Sequence, residues 1–449
     1  MGLDYATIIE NLADALGDRT AIVFGERRTS WRDLEERAAR ISRFLVDRGL
    51  KKDSRVGLLM YNCPEYMEAY LAANKFRGVP ININYRYVDE ELVYLLRDCE
   101  AEALIYHSSL AERVEGLREK LDDLGSLIAV DDGGTPTDAS EHYEDLIAAT
   151  KPASRMERSS EDACVVYTGG TTGMPKGAEY DMGTMMLGLS AGIPMLFPSD
   201  EANTVPEIVA RAEKLHAEGH VFSSIPCSPL MHANGILLSG ILCQLLGGVI
   251  VLLTSRSFDP HELWRTVERE RVYHVTIVGD AFAKPMVKAL LDYERENEPY
   301  DLDGLKVISS SGVMFSKEAK TALLKRLDVT IFDTMGATEG GMAAQACSRR
   351  EPPSDTARFH PFPGTKVFDQ DFREIEAGSG KPGLIGMCGN MPRRYHGDEE
   401  KTRQTFRIID GVRYCFTGDM GIIDEDGCLR FLGRGSSCIN SGGEKVFPE

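Results

Sequence analysis

The chain is poor in the features that mark small secreted or metal-clipped proteins. Its ten cysteines are scattered over 449 residues, the nearest two, Cys428 and Cys438, lie ten apart, and no Cys-x-x-Cys occurs. That spacing excludes a zinc cluster and a dense disulfide framework, and it predicts free thiols in a reducing cytoplasm. Positive charge is also short: 51 Lys and Arg face 70 Asp and Glu, for a formal net charge of −19. A sequence-independent grip on DNA or RNA, which is a Lys/Arg–phosphate interaction, is therefore not expected. The start, Met1-Gly2-Leu3-Asp4, has an early acid and no apolar run, so it does not read as a secretory signal, and Ala6 breaks the myristoylation pattern. Residues 233–255 carry no charge, but Gln244 and Gly247-Gly248 interrupt them. They predict a buried helix, a glycine turn and a core strand over 249–253, and no transmembrane segment.

What is present is ample material for a large core, with 43% hydrophobic residues, and length for about three domains. Short apolar runs at 21–24, 56–60, 80–83, 103–106 and 127–130 alternate with helical spacing such as Leu34, Ala38, Ile41 and Leu45. Strands alternating with helices predict an α/β fold with parallel sheets. From about residue 360 the rhythm changes to short strands punctuated by turns such as Gly378-Ser379-Gly380-Lys381-Pro382-Gly383, which predicts a small β-rich subdomain. His216 and His220 lack the glutamate placement of a zinc-protease motif and read as a solvated helix face.

The stretch that carries chemistry is Thr168-Gly169-Gly170-Thr171-Thr172-Gly173-Met174-Pro175-Lys176-Gly177, preceded by the apolar run Val165-Val166-Tyr167. Glycines let successive N–H groups converge on an anion, threonine hydroxyls add donors, and the lysine adds a charge. The combination predicts a triphosphate cradle. It is not a Walker A loop, because Pro175 precedes the lysine and Gly177 follows it.

This loop resembles the phosphate loop of the adenylate-forming enzymes, the family of acyl-CoA synthetases, peptide-synthetase adenylation domains and firefly luciferase. Asp333-Thr334-Met335-Gly336-Ala337-Thr338-Glu339 resembles the family's Tyr-Gly-x-Thr-Glu block. Thr417-Gly418-Asp419 with Gly433-Arg434 resembles its ribose-binding block, and residues 62–85 and 394–402 match as well. The resemblance spans nearly the whole chain. It implies that Thr168, Thr171, Thr172 and Lys176, with Gly169, Gly170 and Gly173, hold the phosphates of ATP, and that Glu339 helps bind Mg²⁺. Asp419 and Arg434 would meet the ribose. Ser311, Gly312, Asp333, Thr334, Met335, Gly336 and Thr338 would complete the nucleotide site. His232, Gly312, Met335 and Gly336 would line the acyl site, with Lys176, Glu339 and His232 as the catalytic set.

The implied reaction has two steps: a carboxylate attacks the α-phosphate of ATP, then the thiol of coenzyme A displaces AMP. The implied architecture is an adenylate-forming large domain over 1–433, with two parallel-sheet α/β subdomains and a small β-rich one, then a hinge and stub at 434–449. The family's small C-terminal domain, of ~100 residues, is expected to be essentially absent, leaving turnover by this chain impaired. Met335 stands where the family has a tyrosine that stacks on adenine, and Ser436-Ser437 where its hinge carries Lys-Asp. Residues 235–239, Gly-Ile-Leu-Leu-Ser, lack the aspartate that pairs with an amino acid's α-amino group, which favours a fatty or other lipophilic acid. An amino-acid adenylation domain and a non-catalytic nucleotide or acyl-adenylate binder remain the alternatives, and self-association is left open.

Overall fold

The computed structural model describes residues 2–121, 124–170, 173–295, 298–434, 439–441 and 444–446. Thr171 and Thr172 of the phosphate loop and Ser436-Ser437 of the hinge lie outside the described residues. The chain divides into two compact units, Met1–Thr266 with Val272–Thr276, and Val267–Arg271 with Ile277–Glu449.

The first unit is built on a sheet in which Val79–Asn82, Arg55–Leu59, Ala101–His107, Ser126–Val130 and Glu141–His142 lie side by side in that order, parallel throughout. The near-continuous burial of the first four is what a sheet covered on both faces requires. The helix Trp31–Asp47 shows how the flanking elements form. Ser30 caps it by accepting from Asp33 N–H, and Leu34, Ala38, Ile41 and Leu45 fall on one buried face. Fully burying each of those larger aliphatics contributes about 1.5–3 kcal/mol. A second sheet places Val249–Leu252 between Thr20–Phe24 and Ser223–Pro226, all parallel, with His274–Ile277 beyond Ser223–Pro226. The antiparallel strands Ala163–Gly170 and Gly173–Asp181 form a hairpin.

The second unit begins with the parallel pair Val307–Ser311 and Thr330–Ala337 and then turns antiparallel through Gly340–Cys347, Arg358–Pro361, Leu429–Arg434, Asp419–Ile423, Gly383–Gly386 and Lys366–Phe368. The change of rhythm thus starts at Gly340 rather than near 360. Gly340, in the Gly340-Gly341 pair, has φ 145°, which lets the chain reverse there. The helix, glycine turn and core strand expected over 233–253 are present, the helix taking a π-helical form over Asn234–Ile241 before the short α-helix Leu242–Leu245. One other expectation changes. His216 is half-buried and bonded to the Gly247 carbonyl at 2.7 Å, so that ring does not lie on a solvated face. Among the described residues no helix is long and apolar enough to cross a membrane.

Candidate functional site

In the first unit the phosphate loop is the tip of the hairpin. Its register places Thr168 opposite Lys176 and Tyr167 opposite Gly177, and then shifts so that Gly170 meets Gly173. The loop therefore closes on itself instead of opening a helix. Two glycines are needed for close approach: a Cβ on Gly177 would stand 2.8 Å from the Tyr167 ring, and one on Gly169 would stand 3.3 Å from Tyr87 Oη. Thr168 and Lys176 are half-buried, and Gly169 is exposed. Among the described residues no carboxylate lies within ion-pair distance of the Lys176 ammonium. A half-shielded cation of that kind at a glycine-rich tip is suited to a phosphate.

His232 follows a turn that side chains pin from below. Asn62 accepts from Leu230 N–H at 2.7 Å, and His232 N–H donates to the Pro229 carbonyl at 3.0 Å. Gly235 lets the turn fold tightly, because a Cβ there would stand 2.3 Å from the Pro229 oxygen. The π-helical stretch begins at Asn234, an irregularity frequent at functional sites. The imidazole is reachable by solvent yet densely surrounded. That partial desolvation, with the Arg86 cation, pulls its pKa below the ordinary histidine value.

In the second unit Ser311 ends the strand Val307–Ser311, and Gly312 has φ 94°, a conformation that favours glycine. Ser310 and Ser311 pair with Asp333 and Thr334 on the neighbouring strand. Alternation along that strand points Asp333 and Thr334 to opposite faces. Asp333 is buried and its carboxylate receives a hydrogen bond from Lys320 Nζ at 2.6 Å; Lys320, fully buried, also donates to Gln345 at 2.7 Å. Burial pushes the Asp333 carboxyl up, against the pull of the ammonium. Met335 is half-buried against the core formed by Met342, Met387 and Tyr395, among others. A bulge separates Met335 from Gly336, whose Cβ would stand 3.0 Å from the Gly340 oxygen.

Thr338 and Glu339 form the two-residue turn between the strands Thr330–Ala337 and Gly340–Cys347. The Glu339 carboxylate accepts a hydrogen bond from the hydroxyl of Tyr395, a buried residue. Burial and the nearby Glu339 charge together raise the Tyr395 pKa, so the phenol stays a donor. Asp419 is buried, with one oxygen bonded by Thr417 and the other approached by Arg434 Nε at 3.4 Å. Arg434 stands directly across the ladder from Asp419. Each carboxylate oxygen still has a lone pair for a vicinal diol.

Motif reading passed over Lys320 and, although Tyr395, Thr417, Asn62 and Asn82 lie in the matched blocks, gave them no role of their own; these side chains hold the groups in place. Lys320 left a signal, since it falls on the apolar face with Ala319, Leu323 and Leu324. Asn82 left one too, as a polar residue inside the run 80–83.

Comparison with known proteins identifies the family and the fold. The family described as "AMP-binding enzyme" matches residues 9–390. A medium/long-chain-fatty-acid–CoA/3-oxocholest-4-en-26-oate–CoA ligase of Mycolicibacterium smegmatis is 32% identical over 461 residues, covering 100% of this chain and 81% of the relative. A 3-oxocholest-4-en-26-oate–CoA ligase of Rhodococcus rhodochrous is 34% identical with the same coverage. Among solved structures, the anthranilate CoA ligase AuaEII in complex with anthranoyl-AMP superimposes with a TM-score of 0.83 at 21% identity, over 100% of this chain and 81% of that one. The chain belongs to the family of AMP-binding enzymes.

Proposed function

We propose that this chain activates a lipophilic carboxylic acid with ATP, forming an acyl-adenylate and pyrophosphate, and that the acyl group then passes to the thiol of coenzyme A. The observation that carries the reading is the glycine-rich hairpin that sets Lys176 across from Thr168 with no carboxylate, among the described residues, at its ammonium. Lys176 and the loop N–H groups would neutralise the β- and γ-phosphates. That lets an anionic carboxylate approach a polyanion, which is most of what such a step asks of a protein. Asp419, oriented by Thr417 and Arg434, would accept from the ribose hydroxyls, and the backbone of Thr334–Gly336 would flank adenine. Asp333 would act through its strand, its carboxylate being held by Lys320.

Glu339 would be the one protein ligand to Mg²⁺. No group of three or more His, Cys, Asp or Glu suited to a metal occurs among the described residues. A single oriented carboxylate fits that ion, which is commonly held by one or two carboxylates plus substrate phosphates. When bound it would supply charge neutralisation at the phosphates. His232, its pKa lowered, would present a neutral imidazole near the acyl group at neutral pH. Two things support the lipophilic class: the names of the relatives, and the π-helical stretch Asn234–Ile241, which has no charged residue. The nine free cysteines among the described residues suit a reducing cytoplasm.

Thermal unfolding with non-hydrolysable acyl-adenylate analogues tests the reading, comparing fatty, aromatic, steroid-like and aminoacyl tails. A ligand at about 100 times its Kd adds ~2.7 kcal/mol. Fatty or steroid-like analogues are expected to stabilise the wild-type chain, and ATP, which carries the β- and γ-phosphates, is expected to lose about tenfold or more in affinity in Lys176→Ala. Stabilisation by the aminoacyl analogue alone would overturn the substrate class, and stabilisation by none would overturn the acyl-adenylate site.

A further inference from the structure

The functional reading gives two segments of the first unit separate tasks. The hairpin tip that begins at Thr168 faces phosphate, and the turn that presents His232 faces the acyl group. One side chain is bonded to the backbone of both. Asn82 ends the edge strand Val79–Asn82 and is 9% exposed. Its Oδ1 accepts from Tyr167 N–H at 2.9 Å, and its Nδ2 donates to the Tyr167 carbonyl at 2.8 Å. With its other hydrogen Nδ2 donates to the Met231 carbonyl at 2.6 Å. Tyr167 directly precedes Thr168, and Met231 directly precedes His232.

The two bonds to Tyr167 copy the exchange between opposed residues of an antiparallel ladder, so the amide continues the hairpin sideways. The third bond joins that ladder to the His232 turn. Because Tyr167 N–H needs an acceptor and both carbonyls need donors, only one orientation of the amide satisfies all three. The partners are themselves fixed: Tyr167 Oη donates to Asp98 at 2.6 Å, and Asn62 holds Leu230. Tyr167 and Met231 are both buried, so no water competes for these groups.

We propose that Asn82 is a positioning residue whose side-chain amide locks the phosphate loop to the His232 turn, so that ATP and the carboxylate are held at one fixed spacing for adenylation. The proposal rests on the functional reading above and adds to it a residue outside the nucleotide and acyl contacts. An aspartate has the same shape but sets an oxygen against two carbonyls, so Asn82→Asp breaks the lock with little change in volume. Asn82→Ser shortens the arm and serves if the aspartate variant does not fold.

Two measurements on the full chain decide it. The first is acid-dependent exchange of pyrophosphate into ATP. A misplacement of about 1 Å costs about 100-fold, so kcat should fall about 30–100-fold, with KM for ATP and acid within about threefold. The second is amide hydrogen exchange. It should speed up about tenfold or more at residues 168–170 and 232–236 together, while the strand Ala101–His107 keeps its protection. A folded variant with wild-type kcat overturns the proposal. So does faster exchange in one segment alone, or a lower melting temperature with both segments unmoved. A wild-type chain without acid-dependent exchange would instead remove the functional reading, and hydrogen exchange would still decide whether the amide couples the two segments.

Discussion

Glu339 occupies a two-residue turn, where a carboxylate ordinarily samples several rotamers. The buried Tyr395 hydroxyl removes that freedom by donating to one of its oxygens, which leaves the other for the Mg²⁺ proposed above. Tyr395 is in turn fixed by a bond from its N–H to Thr402 at 3.0 Å. Groups that orient a metal ligand typically account for 10–100-fold in metal affinity. Tyr395→Phe keeps the ring in its core and deletes only the donor, so stability should fall by about 1 kcal/mol. The Mg²⁺ concentration needed for half-maximal adenylation should rise about tenfold or more. Titrating pyrophosphate exchange with Mg²⁺, beside a melting curve, separates the two effects. An unchanged Mg²⁺ requirement would show that the hydroxyl only fills the core. At this scale the sequence was legible for the groups expected to touch substrate, because Lys176, Glu339 and Asp419 stand in short local motifs. It was silent on the groups that hold them, since the partner of Glu339 lies 56 residues away and no local pattern encodes that distance.

At the scale of elements, the strand Thr330–Ala337 is the piece on which the candidate nucleotide residues of the second unit depend. One face carries Asp333 into the core, and the backbone beyond it forms the bulge at Gly336. Lys320, from the helix Lys317–Leu324, and Gln345, on the next strand, close a buried polar network around that carboxylate. Breaking such a pair from one side leaves an uncompensated charge, at about 3–5 kcal/mol. Lys320→Met should therefore lower stability by about that much in urea unfolding, with the Asp333 carboxyl driven further up. Adding Asp333→Asn should return part of the loss, because the remaining buried group is then neutral. A Lys320→Met variant within about 0.5 kcal/mol of wild type, the range of ordinary surface changes, would show that the pair does not organise the strand. The strands of the parallel sheet were readable because burial on both faces makes them apolar runs. The π-helical stretch Asn234–Ile241 was not, because a change of hydrogen-bond step leaves no mark on composition.

For the molecule as a whole, alternation of strand and helix sufficed to predict the α/β class. What the linear pattern could not supply is where polar groups are sealed into that frame, and His274 is the sharpest case. It lies in the strand His274–Ile277, every residue of which is buried, with Nδ1 at 2.8 Å from Ser224 Oγ on the adjoining strand and its ring stacked on Phe222. Burial holds its pKa down to about 3. An unfolded histidine titrates near 6.5, so between those values the unfolded chain binds a proton that the native chain refuses. Stability contributed this way is complete above about pH 6.5 and is lost as the pH falls, at about 1.4 kcal/mol per unit, or about 2 kcal/mol by pH 5. A neutral replacement, His274→Gln, forfeits packing at every pH but has no proton to gain. Urea unfolding of both proteins at about pH 7.5 and about pH 5 should show the gap between them narrowing by about 2 kcal/mol at the lower pH. Titrations common to both chains cancel in that difference. A gap of constant size would mean that His274 takes up its proton in the folded protein as readily as in the unfolded one, and that the core around Ser224 and Phe222 admits the charge.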